Sequence, residues 1–400
     1  MVDSAGPASV SRQRLVEMAR RVVEHHHSGQ MPLAESITTL PARNYYDPQR
    51  WLQEFDLIFR RLPLVVALTA EMRDAHAYKA LDVAGMPVLL TRATDGSVRA
   101  FVNMCSHRGS ILVEEGLGTA RRFTCPYHAW SYNPSGDLVG LFKNADFGDL
   151  DMSCHGLTPL PVVERSGLIW VILSPQSTFD MEPFIGELAD LVHHLRLSEM
   201  HHYGTHILSG PNWKVAFDGY VDFYHLPILH KNTFGPDMSP DAIFHPIGAH
   251  QRIMGPRASW SRLAEKPEEE WETDDLTGGV WSIFPHGSIA GFDIGGERFY
   301  QVARLFPGAS PGESVTHLDF VSLAEPSDEY RRLAEKQIDF LIDVVRDEDY
   351  AAGKRIQHAL RTGVKQELMF GRNEGGAQHV HRWIDKVLAT SDDELADLFR

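Results

Sequence analysis

The chain has 400 residues, 43% of them hydrophobic and 23% charged, and a net charge of −16. That is material for a sizeable core and a length for two or three domains, while the acidic balance argues against nucleic acid, whose phosphates are met by Lys and Arg. No apolar run is long enough to span a membrane. Met1 to Val10 is small and polar rather than signal-like, so a cytoplasmic protein is expected.

In chain order, Leu15, Met18, Ala19 and Val22 recur at helical spacing, with Gly29 as a stop. The adjacent His25, His26 and His27 point in three directions from a helix and read as a solvated helix end. Asp47-Pro48 is an N-cap followed by a proline at the first helical position, for a helix through Trp51, Phe55 and Phe59 that stops before Pro63. From Leu64 to about Ser174 short apolar runs alternate with turns. Asp95-Gly96 marks a hairpin, Asn133-Pro134-Ser135-Gly136 a second turn, and Val162-Val163 and Leu168 to Leu173 closing strands. This predicts a small antiparallel β domain.

Two runs inside it carry chemistry. Cys105-Ser106-His107 and Cys125-Pro126-Tyr127-His128 are seventeen residues apart, and each offers one thiolate and one imidazole. A [2Fe-2S] centre of mixed ligation takes two Cys on one iron and two His on the other. The alternative is a Cys2His2 zinc site, but zinc pairs usually leave two to four residues between ligands, and the first pair leaves one. With Cys105 and Cys125 assigned to iron, Cys154 stands alone and no disulfide framework is expected.

Pro175 to Pro183 is the expected boundary. Beyond it Val280 to Phe284, Gly291 to Asp293 and Arg298 to Phe306 read as strands, with Gly295-Gly296 as a hairpin turn, and Leu318 and Phe320 alternate with His317 and Asp319 as in a half-buried strand. Glu265 to Asp275 reads as a surface loop, and a long helix begins near Ser327, making an α+β domain. Asp218, Asp222 and His225 are spaced to share one face of a helix. His230 is five residues past His225, and Pro227 between them breaks the regular ladder. In the long helix, Ala334, Ile338, Leu341, Val345, Asp349, Ala352, Ile356 and Leu360 form one stripe whose only charged member is Asp349. A carboxylate on a buried face is costly unless it is paired or binds metal; Asp343 and Asp347 fall off the stripe.

Arg108-Gly109 after the first pair and Ala129-Trp130-Ser131-Tyr132 after the second resemble the Rieske domains of aromatic-ring-hydroxylating oxygenases. Asn212-Trp213-Lys214, Asp218, Asp222-Phe223-Tyr224-His225 and His230 resemble the mononuclear-iron segment of their α subunits. Glu348-Asp349 with Gln357 resembles the third-ligand segment, although Lys354 stands where that family has Glu. Phe370 to Gly375, followed by His379, His381 and Trp383, resembles the α-subunit tail. The family often has Asn at the position of Asp218, near the iron.

The resemblance implies residues 1–62 as an N-terminal helical arm on the catalytic domain, 63–178 as the Rieske domain, and 179–400 as a helix-grip (START/Bet v 1-like) catalytic domain with a long C-terminal helix. It implies a [2Fe-2S] cluster on Cys105, His107, Cys125 and His128, and a mononuclear Fe(II) on His225, His230 and Asp349, the two-His-one-carboxylate set of non-haem oxygenases. Ser110 and Tyr127 occupy the places of the extra cysteines of respiratory Rieske proteins. Fewer hydrogen bonds to sulfur would then put the potential near the low end of the range, roughly −150 mV. Asp222 is expected to bridge His225 and, across a subunit boundary, His128 of a neighbouring copy in a homotrimer, with or without a β subunit, and Asp218 to sit behind the iron ligands. His379 and His381 are expected to be structural or interfacial. Electrons would come from NAD(P)H through a separate reductase or ferredoxin, since no Gly-rich nucleotide loop is present. The expected activity is O2-dependent hydroxylation of a small aromatic substrate; the alternatives are oxidative O- or N-demethylation, or an electron-transfer protein with an inactive second domain.

Overall fold

The computed structural model describes residues 7–255 and 258–400; Met1 to Gly6, within the segment read above as lacking a signal-like core, lie outside them. The chain forms two compact units, one of residues 59–179 and one made of residues 1–58 together with 180–400. The expected boundaries at 62 and 178 differ from these by four residues and one. Among the described residues no helix is long and apolar enough to cross a membrane.

Every strand pair described in the 59–179 unit is antiparallel. A five-stranded sheet runs in the order Pro159–Leu160, Val98–Val102, Met86–Arg92, Ala77–Val83, Gly116–Thr119. A three-stranded sheet joins Val162–Arg165, Leu168–Val171 and Leu64–Leu68, and another joins Phe123–Thr124, Ser131–Tyr132 and Leu138–Gly140. The Asp95-Gly96 hairpin forms as expected, with Gly96 at φ +83 supplying the turn.

The other unit is built on a seven-stranded antiparallel sheet in the order His201–Gly210, Ser314–Ser322, Glu297–Pro307, Gly287–Ile294, Val280–Ile283, His250–Met254, Ile243–Ile247. The helix Pro7–Ser28 packs on Glu182–Val192 and Ala258–Ala264 in the same unit. The strand Ser314–Ser322 is buried on both faces rather than half-buried: Asp319 and Arg304 pair at 0% exposure each, which the alternation of residue types concealed because the charges are internally paired.

The C-terminal helix is two α-helices, Asp328–Val344 and Tyr350–Leu360, joined by a π-helical turn, Val345–Asp349. Ser327 caps its start by accepting from Tyr330 N. The π turn adds a residue to the local repeat, and this corrects the single stripe. Up to Val345 the stripe is buried as expected, but beyond the turn Tyr350, Gly353, Gln357 and Leu360 face inward and Ile356 is exposed.

A second correction concerns Asp218, Asp222 and His225. The helix that carries Asp218 is Trp213–Tyr220 and ends before Asp222, so the three do not share a helical face. Asp222 sits in the following turn, where its Oδ1 accepts from Tyr224 N at 2.6 Å, a local bond that competes with helix continuation. Pro227 does not break a ladder either. It lies in the first turn of a one-turn helix, Leu226–Leu229, with His225 at its N-cap and His230 at its C-cap.

Candidate active site

In the β unit the ligand runs are two copies of one turn. Cys105 N bonds Ser110 O and Gly109 N bonds Cys105 O; Cys125 N bonds Trp130 O and Ala129 N bonds Cys125 O. The fourth residue after each cysteine has positive φ, +75 at Gly109 and +58 at Ala129, so the second loop holds a non-glycine residue where glycine is the easy choice.

The turns bring His107 and His128 together, with ring centroids 4.8 Å apart, and Trp130 stacks flat on His107. Both Nδ1 atoms are buried without a hydrogen-bond partner among the described residues. Burial pushes the Cys105 thiol up. Burial acts on Cys125 as well, but the His128 and Tyr127 amides aimed at its sulfur outweigh it and hold that thiol below its usual range. Two buried thiols supplied with backbone donors and two orphaned imidazole nitrogens suit a cluster that accepts one Cys pair and one His pair.

The sulfurs have more donors than the missing disulfide led us to expect. The Tyr132 hydroxyl lies 3.3 Å from Cys105 Sγ and accepts from Ser106 N at 3.0 Å, which leaves its proton for the sulfur. Burial and the neighbouring thiol push its pKa up, so it stays a donor. Ser110 faces Cys125 as a further donor. Tyr127 lies over His128 and accepts from Arg108 Nη2 at 2.7 Å.

In the other unit His225, His230 and Asp349 converge, each offering one ligand atom within 4.8 Å of the other two. Asp349 Oδ1 is 3.5 Å from His225 Nε2 and 3.4 Å from His230 Nε2. Each Nδ1 is occupied on the far side: His225 donates to Asp222 Oδ2 at 3.0 Å, and His230 donates to Glu348 Oε2 at 2.5 Å. The two Nε2 atoms are thereby left as ligands and their tautomer is set. Burial disfavours the His225 imidazolium, but hydrogen bonds to Asp222 and Asp349 outweigh it and push the pKa to about 9. The positive charge that three facing acids call for is the role a bound Fe(II) would take. Two imidazoles and one carboxylate on one side, with a cavity on the other, fit a metal with open positions.

Glu348 was missed by the sequence reading, although it precedes the expected ligand. From consecutive positions of the π turn, Glu348 and Asp349 reach different nitrogens of one ring, Nδ1 and Nε2 of His230. Glu348 also accepts from Thr233 Oγ1 at 3.1 Å.

Asp218 stands apart from the metal ligands. It accepts from the Tyr45 hydroxyl at 2.7 Å and from His381 Nε2 at 2.9 Å, so the expected structural part of His381 is to hold this carboxylate. Burial pushes the Tyr45 hydroxyl well up, with Asp218 adding to it. The Asn212-Trp213-Lys214 run is buried against Glu54, which accepts from Trp213 Nε1 at 3.0 Å and pairs with Lys214 and Arg50.

A cavity of about 470 Å³ opens from His225, His230 and Asp349 along the C-terminal helix, between Gln337, Phe340 and Val344 on one side and the sheet face on the other. Five aromatic rings line it: Tyr220, Phe223, Phe234, Phe292 and Phe340. Among the described residues no Lys or Arg does, whereas Asp222 and Asp293 do.

Residues 63–147 match the family described as the Rieske [2Fe-2S] domain, and residues 197–390 match the ring hydroxylating alpha subunit (catalytic domain). The chain is 28% identical over 364 residues to the carnitine monooxygenase oxygenase subunit of Escherichia coli (strain K12), covering 87% of this chain and 93% of that one. Among solved structures, a quaternary ammonium Rieske monooxygenase superposes with a TM-score of 0.72 at 22% identity, covering 87% of this chain and 94% of the other. Naphthalene 1,2-dioxygenase from Rhodococcus sp. gives the same TM-score at 18% identity, covering 94% and 99%. The two structural likenesses therefore establish the fold alone.

Proposed function

Because this chain belongs to the α subunits of the Rieske non-haem iron oxygenases, we propose that its particular reaction is the oxidative N-demethylation of a small methylated ammonium compound. It is an oxygenase with a [2Fe-2S] cluster and a non-haem iron, fed by a separate reductase. Cys105, His107, Cys125 and His128 hold the cluster, and His225, His230 and Asp349 the iron. Bound there, the two groups supply electron relay and dioxygen activation.

The lining of the cavity carries the substrate reading. Aromatic faces attract a quaternary ammonium group through their quadrupoles, and among the described residues no Lys or Arg lines the cavity to oppose it. An arene carboxylate would meet no Lys or Arg among the described residues there. The relative matched over 93% of its length is a carnitine monooxygenase subunit, in line with that choice over ring hydroxylation. Asp222 and Glu348 keep the two imidazoles oriented, and the apolar walls keep bulk water from the reacting methyl group.

One oxygen atom enters an N-methyl C–H bond, the other leaves as water, and two electrons with two protons complete the balance. The resulting carbinol ammonium collapses to the tertiary amine, formaldehyde and a proton. On the same reading the assembly is a ring of copies in which Asp222 links His225 to His128 of the partner subunit. Tyr224 and Ile228 beside it are 58% and 75% exposed, as a surface that meets another copy would be.

The test is a panel of methylated ammonium compounds, aryl methyl ethers and plain arenes, turned over with a surrogate reductase and NAD(P)H. Formaldehyde release matched to NAD(P)H oxidation on an ammonium substrate is expected. A cis-dihydrodiol from an arene, with no formaldehyde from any ammonium compound, would return the assignment to ring hydroxylation.

A further inference from the structure

The cavity has a second polar region on the sheet. Strands Gly287–Ile294 and Glu297–Pro307 pair with Ala290 opposite Gln301 and Ser288 opposite Ala303. Side chains alternate across strands, so Ser288, Ala290 and Gln301 share one face, and all three line the cavity. Gln301 is 6% exposed and Ser288 2%. Neither the Gln301 amide nor the Ser288 hydroxyl has a side-chain hydrogen bond to any described residue, and neither is sealed away from the cavity. Polar groups buried without a partner are costly, and they gather where a ligand completes them.

We propose that Gln301, assisted by Ser288, determines specificity by donating hydrogen bonds to an acceptor oxygen of the substrate, a carboxylate or carbonyl, at a distance from the methyl group that reacts. This rests on the N-demethylation reading and names the kind of ammonium compound the site takes. The amide brings two donors and the hydroxyl one. With no Lys or Arg among the described residues that line the cavity, the acceptor is met by neutral donors, which suits a zwitterion whose own ammonium balances its carboxylate. Ala290, directly opposite Gln301, is small and leaves the amide uncovered. Holding the acceptor end decides which carbon is presented to the side of the cavity where His225, His230 and Asp349 stand.

The experiment compares matched pairs on the holoenzyme by anaerobic calorimetry, in wild type, Gln301→Met and Ser288→Ala. The first pair is 4-(trimethylammonio)butanoate against butyltrimethylammonium, with 4-(trimethylammonio)butanamide separating carboxylate from carbonyl. The second pair is 3-phenylpropanoate against propylbenzene. Gln301→Met is expected to weaken the acceptor-bearing member by about tenfold or more, the scale of one hydrogen bond to a charged group, and to leave the acceptor-free member within about threefold. Ser288→Ala is expected to act in the same sense by less, and it carries the test if Gln301→Met does not fold. Equal losses in both members, or none, would overturn the proposal. Binding of the arene pair alone would sink the N-demethylation reading while Gln301 was still judged on that pair, and binding of neither pair to wild type would overturn both.

Discussion

Glu348 is neither one of the three converging ligands nor a residue of the cavity lining, so removing it isolates its hold on His230. In Glu348→Ala the buried His230, whose side chain is 2% exposed, loses the acceptor that lies 2.5 Å from Nδ1. Thr233 loses its bond to the same oxygen. The ring keeps its place between Phe234, stacked at 4.6 Å, and the helix, but its tautomer and tilt are no longer held. Loss of an outer partner on a metal-bound imidazole costs about 10–100-fold in metal affinity, which corresponds to about 1.4–2.7 kcal/mol. Glu348→Gln retains a carbonyl acceptor without the charge and should fall near the lower end. Asp347→Ala is the control, because Asp347 is 58% exposed and its ion pair among the described residues is with Arg346. The assay is iron retention against graded chelator, with Rieske absorbance as an internal reference for the cluster. Wild-type affinity in Glu348→Ala, or equal losses in Glu348→Ala and Asp347→Ala, would refute the assignment of Glu348 to His230.

Tyr132→Phe removes the hydroxyl donor from Cys105 Sγ and should lower the cluster potential by on the order of 40 mV, one net hydrogen bond for a one-electron couple; an unchanged redox titration would count against that bond. His250 is fully buried, and burial pushes its pKa down to about 4. Its folded value lies below the unfolded one near 6.5, so its contribution to stability is complete above about pH 6.5 and is lost as pH falls toward 4. That amounts to at most ~3 kcal/mol, and His250→Gln should flatten the pH dependence of the thermal midpoint across that window. In mixed assemblies of Cys105→Ala and Asp349→Ala chains, activity absent from either pure variant should partly return. Adding Asp222→Ala to the Cys105→Ala chain should abolish it again, and verified mixed assemblies that stay inactive would exclude transfer through Asp222 between copies.

The residues legible in the sequence were those whose chemistry is local. Each Cys/His run is a single turn, so the pairing of Cys105 with His107 and of Cys125 with His128 is visible without the fold. The N-cap Asp47, the start of the long helix near Ser327 and the Asp95-Gly96 turn likewise depend on neighbours a few residues away. Asp349 was reached from a helical stripe whose regular period holds as far as Val345. The π turn was not visible, because nothing in Val345 to Asp349 marks it, and with it went Glu348 and the inward turn of Gln357. The break after Tyr220 was hidden for the opposite reason: Asp218, Asp222 and His225 have helical spacing, but Asp222 spends its carboxylate on Tyr224 N. Asp319, Asp218 and Glu54 are answered from more than a dozen residues away, by Arg304, by Tyr45 and His381, and by Lys214. Gln301 and Ser288 carry no motif, and only strand register puts them on the cavity face.

Metal and acid-labile sulfide analysis of wild type beside Asp349→Ala tests most directly whether His225, His230 and Asp349 form one iron site separate from the cluster. The variant should lose the mononuclear iron and turnover while keeping cluster iron, sulfide and the Rieske visible spectrum. Full iron content in Asp349→Ala, or zinc without sulfide in the wild type, would contradict it.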